Sequence, residues 1–169
     1  MNAKELLKKY GITSIYHFTD EENLTTIKKF GIQSLSNIEK NNIEVAHYGA
    51  ESLSHSLDKR YGLDKFVHLA FIKDHPMYHV AKQRGNIINP IWIEIDISVL
   101  FNSSTLFCDK VANQNNAKLF SLKEVENFIN FGTMLYESDF STRKEARKAE
   151  ILVLGNIETS LIKGISYGK

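Results

Sequence analysis

The chain has 169 residues, 43% apolar and 24% charged, with a formal net charge of +1. That is enough for one domain with its own core, expected to span residues 1–169. The near-neutral balance argues against a strongly basic protein that coats nucleic acid and leaves room for a local basic patch. No apolar run approaches the ~20 residues that cross a bilayer. The opening "MNAKELLKKYG" is charged and helical in pattern, unlike a secretory leader. A lone Cys108 excludes an internal disulfide and fits a reducing compartment. These features predict a cytoplasmic protein with no membrane partner.

In chain order, residues 3–9 read as a short helix stopped by Gly11. "SIYHFT" (14–19) is rich in β-branched and aromatic residues and predicts a strand. Asp20 is placed to cap a helix over "EENLTTIKKFG", with Leu24, Ile27 and Phe30 on one face and Gly31 as terminator. Residues 31–42 read as a polar connection. "AESLSHSLDKRYG" predicts another short helix closed by Gly62. "KFVHLAFIK" (65–73) predicts a buried strand. "DHPMYHVAKQRGN" follows as a helix, with Pro76 in its first turn and Gly85 at its end. "PIWIEIDISVL" (90–100) alternates isoleucines with Trp92, Glu94 and Asp96, the clearest period-2 strand in the chain. "SLKEVENFINFG" (121–132) opens on a Ser121–Glu124 capping box. "EILVLG" (150–155) and "LIKGISY" read as further strands. Helices and strands mix without regular βαβ alternation, which predicts an α+β fold.

Nucleotide-binding glycine loops, nucleophile elbows and paired zinc cysteines are all missing. His75 and His79 are four apart on a predicted helix, but a third ligand is not evident, so they read as exposed histidines and no metal is expected. Cys108 between apolar neighbours reads as core. In a strand, His17 and Thr19 point to one side. They make either a ligand hook or the polar outer face of a half-buried strand. Arg60 suits a helix C-terminus. Asn115 and Asn116 suit a turn or a ligand contact. Glu150 is the sharpest signal, a carboxylate where a strand begins, behind Arg143, Lys144, Arg147 and Lys148. Arg143/Arg147 and Lys144/Lys148 are like-charge i,i+4 pairs, mildly unfavourable in a helix. Such a run either receives an anion beside a working carboxylate or is a solvated charge run, and the residues alone leave both open.

Four blocks in order resemble the DarT family of bacterial DNA ADP-ribosyltransferase toxins. They are "YHFTDEENLTTIKKFGIQS", "FVHLAFIKDHPMYHVAKQRGN", "DKVANQNNAKLF" and "RKEARKAEILVLGNI". The resemblance implies an ADP-ribosyltransferase-like fold, with two split, mostly antiparallel sheets, flanking helices and an NAD cleft. It implies transfer of ADP-ribose from NAD, as co-substrate, onto thymidine or guanosine in single-stranded DNA, with release of nicotinamide. By motif, Glu150 would be the catalytic glutamate. Arg60 would be the catalytic arginine, with Lys59 as its alternative. His17, Thr19, Asn23, Leu24, Phe71 and Met77 would meet the NAD or line its pocket. Asn116, Arg143, Lys144, Arg147 and Lys148 would meet DNA. A macrodomain-type antitoxin is the implied partner. The chain departs from the family at Asp74-His75 before the Pro-Met pair, and at His68 and Ala70, where larger aromatics are usual. Competing readings are an ADP-ribosyltransferase acting on RNA or protein, and a catalytically silent nucleic-acid-binding module.

Overall fold

The computed structural model describes residues 2–50 and 52–168. Helix α1 (Ala3–Lys9) starts on a capping box between Asn2 and Glu5. Strand β1 (Ser14–Asp20) follows, and Asp20 caps a 3-10 turn that runs into α2 (Leu24–Phe30). Next come β2 (Ile32–Gln33), α3 (Leu35–Lys40), α4 (Ser52–Tyr61), β3 (Phe66–Leu69), α5 (Pro76–Gln83) and β4 (Pro90–Asp96). After them lie β5 (Leu106–Cys108), β6 (Leu119–Phe120), α6 (Val125–Phe128), α7 (Phe131–Tyr136) and α8 (Phe140–Ala146). Strands β7 (Glu150–Leu154), β8 (Asn156–Ile157) and β9 (Ile162–Tyr167) follow.

Among the described residues the strands form three sheets, ordered β1-β4-β9, β3-β7-β5-β6 and β2-β8, with every pairing antiparallel. The expected α+β class is what the chain adopts. The alternation in β4 does what period 2 requires. Ile91, Ile93 and Ile95 are fully buried, Glu94 and Asp96 are half-buried, and Trp92 packs on the other face with Tyr78 and Ala70. The main core joins these isoleucines to Ile15, Leu100, Phe107, Phe131 and Ile151. Burying each such side chain favours folding by roughly 1.5–3 kcal/mol before entropy is subtracted.

Four details differ from expectation. Residues 31–42 are not a plain connection. Ile32 pairs with Ile157 in β2-β8, and Ser34 caps α3 by accepting the Asn37 N–H. Gly31 turns the chain into β2 at φ +74°, where a Cβ would lie 2.2 Å from the Ile157 carbonyl oxygen. Strand β4 ends at Asp96, because that carboxylate caps a 3-10 turn over residues 97–101. The helix expected over 121–132 breaks after Phe128, where Asn130 caps a new one. Phe30 does not share the buried face of α2 and is 43% exposed.

The two larger sheets meet at a backbone bridge in which Tyr16 and Ala70 exchange N–H···O bonds of 2.9 and 2.8 Å. A cleft opens beside this bridge, with β1 on one wall and β3 on the other. Among the described residues, no helix is long and apolar enough to cross a membrane.

Candidate active site

The cleft encloses about 250 Å³ and is walled by β1, α2, β2, α3, residues 43–50, α4 and β3. Its polar lining includes His17, Thr19, Asn23, Asp58, His68, Asn113 and Glu150. Among the described lining residues there is no lysine or arginine.

Glu150 opens β7 and is nearly buried. The strand begins there because Ile151, Leu152 and Val153 fill the core between β3 and β5. The carboxylate is pinned at one oxygen. Oε2 accepts the Ala112 N–H at 2.9 Å and faces His68 Nδ1 at 3.4 Å. The other oxygen, Oε1, lies 3.9 Å from His75 Nε2. Burial alone would raise the Glu150 pKa. The hydrogen bond and charge of His68, then His75 and the Ala112 N–H, outweigh it and hold the group below its ordinary value. His68 answers in kind. Burial would lower its pKa, but Glu150, Asp58 and the Leu63 carbonyl raise it to about 9. The His68 ring also lies 3.3 Å from the Leu63 carbonyl, so an imidazolium has an acceptor at each nitrogen. The two groups form a standing ion pair in the cleft wall.

His17 is different. Its Nδ1 meets the His68 carbonyl at 3.1 Å, which fixes that nitrogen as the donor and leaves Nε2 as an acceptor. Burial dominates and lowers its pKa to about 4. It is a neutral ring in the cleft wall two residues before Thr19. Asn23 anchors the facing segment. Its Nδ2 donates to Thr19 Oγ1 at 2.9 Å and to the His47 carbonyl at 2.7 Å. Its Oδ1 accepts the Ala46 and His47 N–H groups. All four hydrogen-bonding positions of the amide are used. Asn23 therefore holds residues 46–47 against β1.

The other expected site residues divide. Met77 lines the cleft. Leu24 and Phe71 do not. Leu24 packs on the main core, and Phe71 is buried against Phe107 and Phe131. Arg60 is exposed and stacks over the Tyr61 ring, while Lys59 pairs with Glu39 on the surface. Neither lines the cleft. Asn116 sits in an exposed turn at φ +67° and is likewise outside it. In the basic run, Arg143 donates to the Glu137 carbonyl at 2.7 Å. Arg147 donates to the Met134 carbonyl and pairs with Asp74. Lys148 pairs with Glu145. Lys144 is exposed.

His75 and His79 do not share an exposed face. His79 is exposed and pairs with Asp74. His75 is buried as the cap of α5, where its Nδ1 accepts the Met77 N–H. The spacing of four predicts a helix pair, but α5 begins only at Pro76, so His75 precedes it. Asp20, Glu22 and His47 bring possible ligand atoms within 4.8 Å of one another. The Asp20 oxygens, however, accept the Glu22, Ile88 and Asn89 N–H groups, so they act as a cap.

His68, His75, Asp58 and Asn113 were not singled out for the site from the sequence. His68 had a visible signal, as a polar residue inside the apolar run "FVHLAF". Asp58 and Asn113 had none, because their pairing joins α4 to the loop after β5 across 55 residues.

Comparison with known proteins fits this geometry. A family model described as "ssDNA thymidine ADP-ribosyltransferase, DarT" matches residues 16–169. Among solved structures, Thermosipho africanus DarTG in complex with ADP-ribose superposes with TM-score 0.76 at 19% identity, over 93% of this chain and 44% of that one. The chain thus spans less than half the length of that relative. Thermus sp. 2.9 DarT in complex with ADP-ribosylated ssDNA gives 0.74 at 18% identity, over 94% of this chain and 83% of that one. The same Thermus protein in complex with NAD+ gives 0.69 at 16% identity, again over 94% and 83%. Among curated proteins nothing matches. The match over residues 16–169 and the shared split-sheet fold show that the chain belongs to the DarT family.

Proposed function

We propose that this protein is an NAD-dependent ADP-ribosyltransferase that moves ADP-ribose from NAD onto a base of single-stranded DNA and releases nicotinamide. The family description favours thymidine over guanosine as the acceptor. The observation that carries the reading is the Glu150 carboxylate, held ionised beside a cleft by His68 and the Ala112 N–H.

Breaking the bond between ribose and nicotinamide develops positive charge at the ribose carbon. A fixed carboxylate next to that carbon stabilises the charge without rearranging, as in glycoside cleavage. With Oε2 pinned, Oε1 is the oxygen offered to the sugar and its hydroxyls. The neutral His17 ring offers Nε2 as an acceptor, and Thr19 and Met77 line the wall beside it. Asn23 keeps residues 46–47 closed over the cleft, a positioning role. The bond that changes hands is glycosidic, so the transfer is of a glycosyl group. An unpaired base reaches the cleft without the cost of extrusion from a duplex. Lys144, the exposed cation of the basic run, supplies a phosphate contact. The protein acts as the toxin of a pair in the cytosol and is neutralised by a macrodomain-type antitoxin.

The test offers NAD with separate pools of single-stranded DNA, duplex DNA, RNA and protein, read by mass gain. Single-stranded DNA should gain one ADP-ribose, and the gain should vanish in Glu150→Gln. Labelling of RNA or protein alone would replace the acceptor. Binding of DNA with no consumption of NAD would leave only a binding module.

A further inference from the structure

The cleft contains a second carboxylate beside the Glu150–His68 pair. Asp58 sits in the second turn of α4 and lines the same cavity as Glu150 and His68. Its Oδ1 accepts from Asn113 Nδ2 at 3.1 Å, and that amide also donates to Ser54 Oγ at 3.0 Å. Its Oδ2 takes no hydrogen bond among the described residues. Asp58 is thus oriented at one oxygen and open at the other.

Transfer to a base needs a proton acceptor as well as a cation stabiliser. A ring N–H of a nucleobase is a poor nucleophile until its proton leaves. Most of the other titratable groups that line this end of the cleft are committed to partners, and the open Nε2 of His17 has a proton affinity far below a neutral working pH. Glu150 Oε2 is taken by Ala112 and His68. His68 is the cation of that pair. His17 gives Nδ1 to a carbonyl. His75 has Nδ1 on the Met77 N–H and Nε2 at the Lys148 carbonyl.

We propose that Asp58 is the general base of the transfer, taking the proton from the incoming base while Glu150 remains an anion throughout. The inference rests on the reading of this protein as a DNA ADP-ribosyltransferase. The step balances without any oxidant. The N–H bond of the acceptor breaks, and its proton goes to Asp58 Oδ2. The freed electron pair forms the new bond to the ribose carbon. The old bond from that carbon to nicotinamide breaks, and its pair stays on the pyridine ring, which leaves neutral.

The electrostatics divide the labour in the same way. Burial raises the Asp58 carboxyl above its ordinary value and the Glu150 charge adds to this. His68, Asn113 and His55 act against it. Glu150 is held low. A base works best when its proton affinity approaches the working pH, and a charge stabiliser when it never binds a proton. The groups facing Asp58 are His55 on its own helix, His68 on β3, Glu150 on β7 and Asn113 after β5.

The deciding variant is Asp58→Asn, which keeps the shape and the contact to Asn113. Transfer to a single-stranded oligonucleotide should fall ~100-fold or more in kcat. NAD affinity, read by calorimetry, should stay within about twofold of wild type because no binding charge is removed. The acid limb of the log kcat against pH profile should disappear. Asp58→Glu should recover more than a tenth of the wild-type rate, since it restores a carboxylate. Glu150→Gln should lose transfer at every pH. Transfer by Asp58→Asn within about threefold of wild type overturns the inference, as does an unchanged acid limb. If Asp58→Asn does not fold, Asp58→Ser takes its place, and transfer within about threefold of wild type with an unchanged acid limb would overturn the base assignment. A wild-type protein that labels no DNA overturns the functional reading itself, and shows this before any variant is made.

Discussion

The cleft wall and the basic run are both dense in charge, yet they behave oppositely. In the wall, a histidine and a glutamate face each other at 3.4 Å, and each fixes the protonation of the other. In the run over 143–148, three of the four cations are tied to their own protein. Arg143 and Arg147 donate to carbonyls, Arg147 also pairs with Asp74, and Lys148 pairs with Glu145. The proposed chemistry uses charges that distant segments bring together in the wall, whereas the contiguous basic run is largely bonded to its own protein. Charge density along a chain therefore reports poorly on which charges are free to act.

The largest effect should come from the wall. Glu150→Gln is nearly isosteric and removes only the charge, so transfer should fall by ~10²–10³ in kcat, measured under saturating NAD. A loss below tenfold would move the cation-stabilising role elsewhere.

His68→Gln comes next and has its own signature in stability. The folded pKa of about 9 lies above the ordinary 6.5, so the stabilisation is fully present below about pH 6.5 and is lost as pH rises through 9. A shift of this size amounts to ~3 kcal/mol at most. Thermal melts of the wild type should weaken between these pH values, and His68→Gln should flatten the decline. His17 acts at the other end. Its folded pKa of about 4 makes the protein lose stability as pH falls from 6.5 towards 4. Equal slopes in His68→Gln and wild type would break the contrast drawn between the two regions.

Arg147→Ala should cost ~1–3 kcal/mol by leaving the Met134 carbonyl without its donor and Asp74 with His79 alone, seen as a lowered melting temperature. If stability held and only DNA affinity fell, the run would be a phosphate grip after all. Lys144→Ala should have the smallest effect. Its melt should match wild type, and the salt slope of single-stranded DNA binding should fall by about 0.7.

Glu150 was legible because glutamate at the head of an apolar strand is a local contradiction. His17 and Thr19 were legible as a same-side pair on a strand. Arg60 and Asn116 enter through the resemblance, yet neither lines the cleft, because nothing in their local spacing reports where a surface helix or turn points. Phe71, expected to line the pocket, is buried in the core, and Leu24, expected beside the cleft, packs on it, since an apolar side chain fits either place.

What the sequence by itself determined was local. Capping residues, period-2 isoleucines and positive-φ glycines set most element boundaries, because each acts over a few residues. The ordered motifs determined the family. Only the tertiary structure decided the state of the site. The His68–Glu150 pair joins residues 82 apart, and the Asp58–Asn113 contact joins residues 55 apart. Their protonation depends on burial and on partners brought in by other strands, which a linear pattern does not carry.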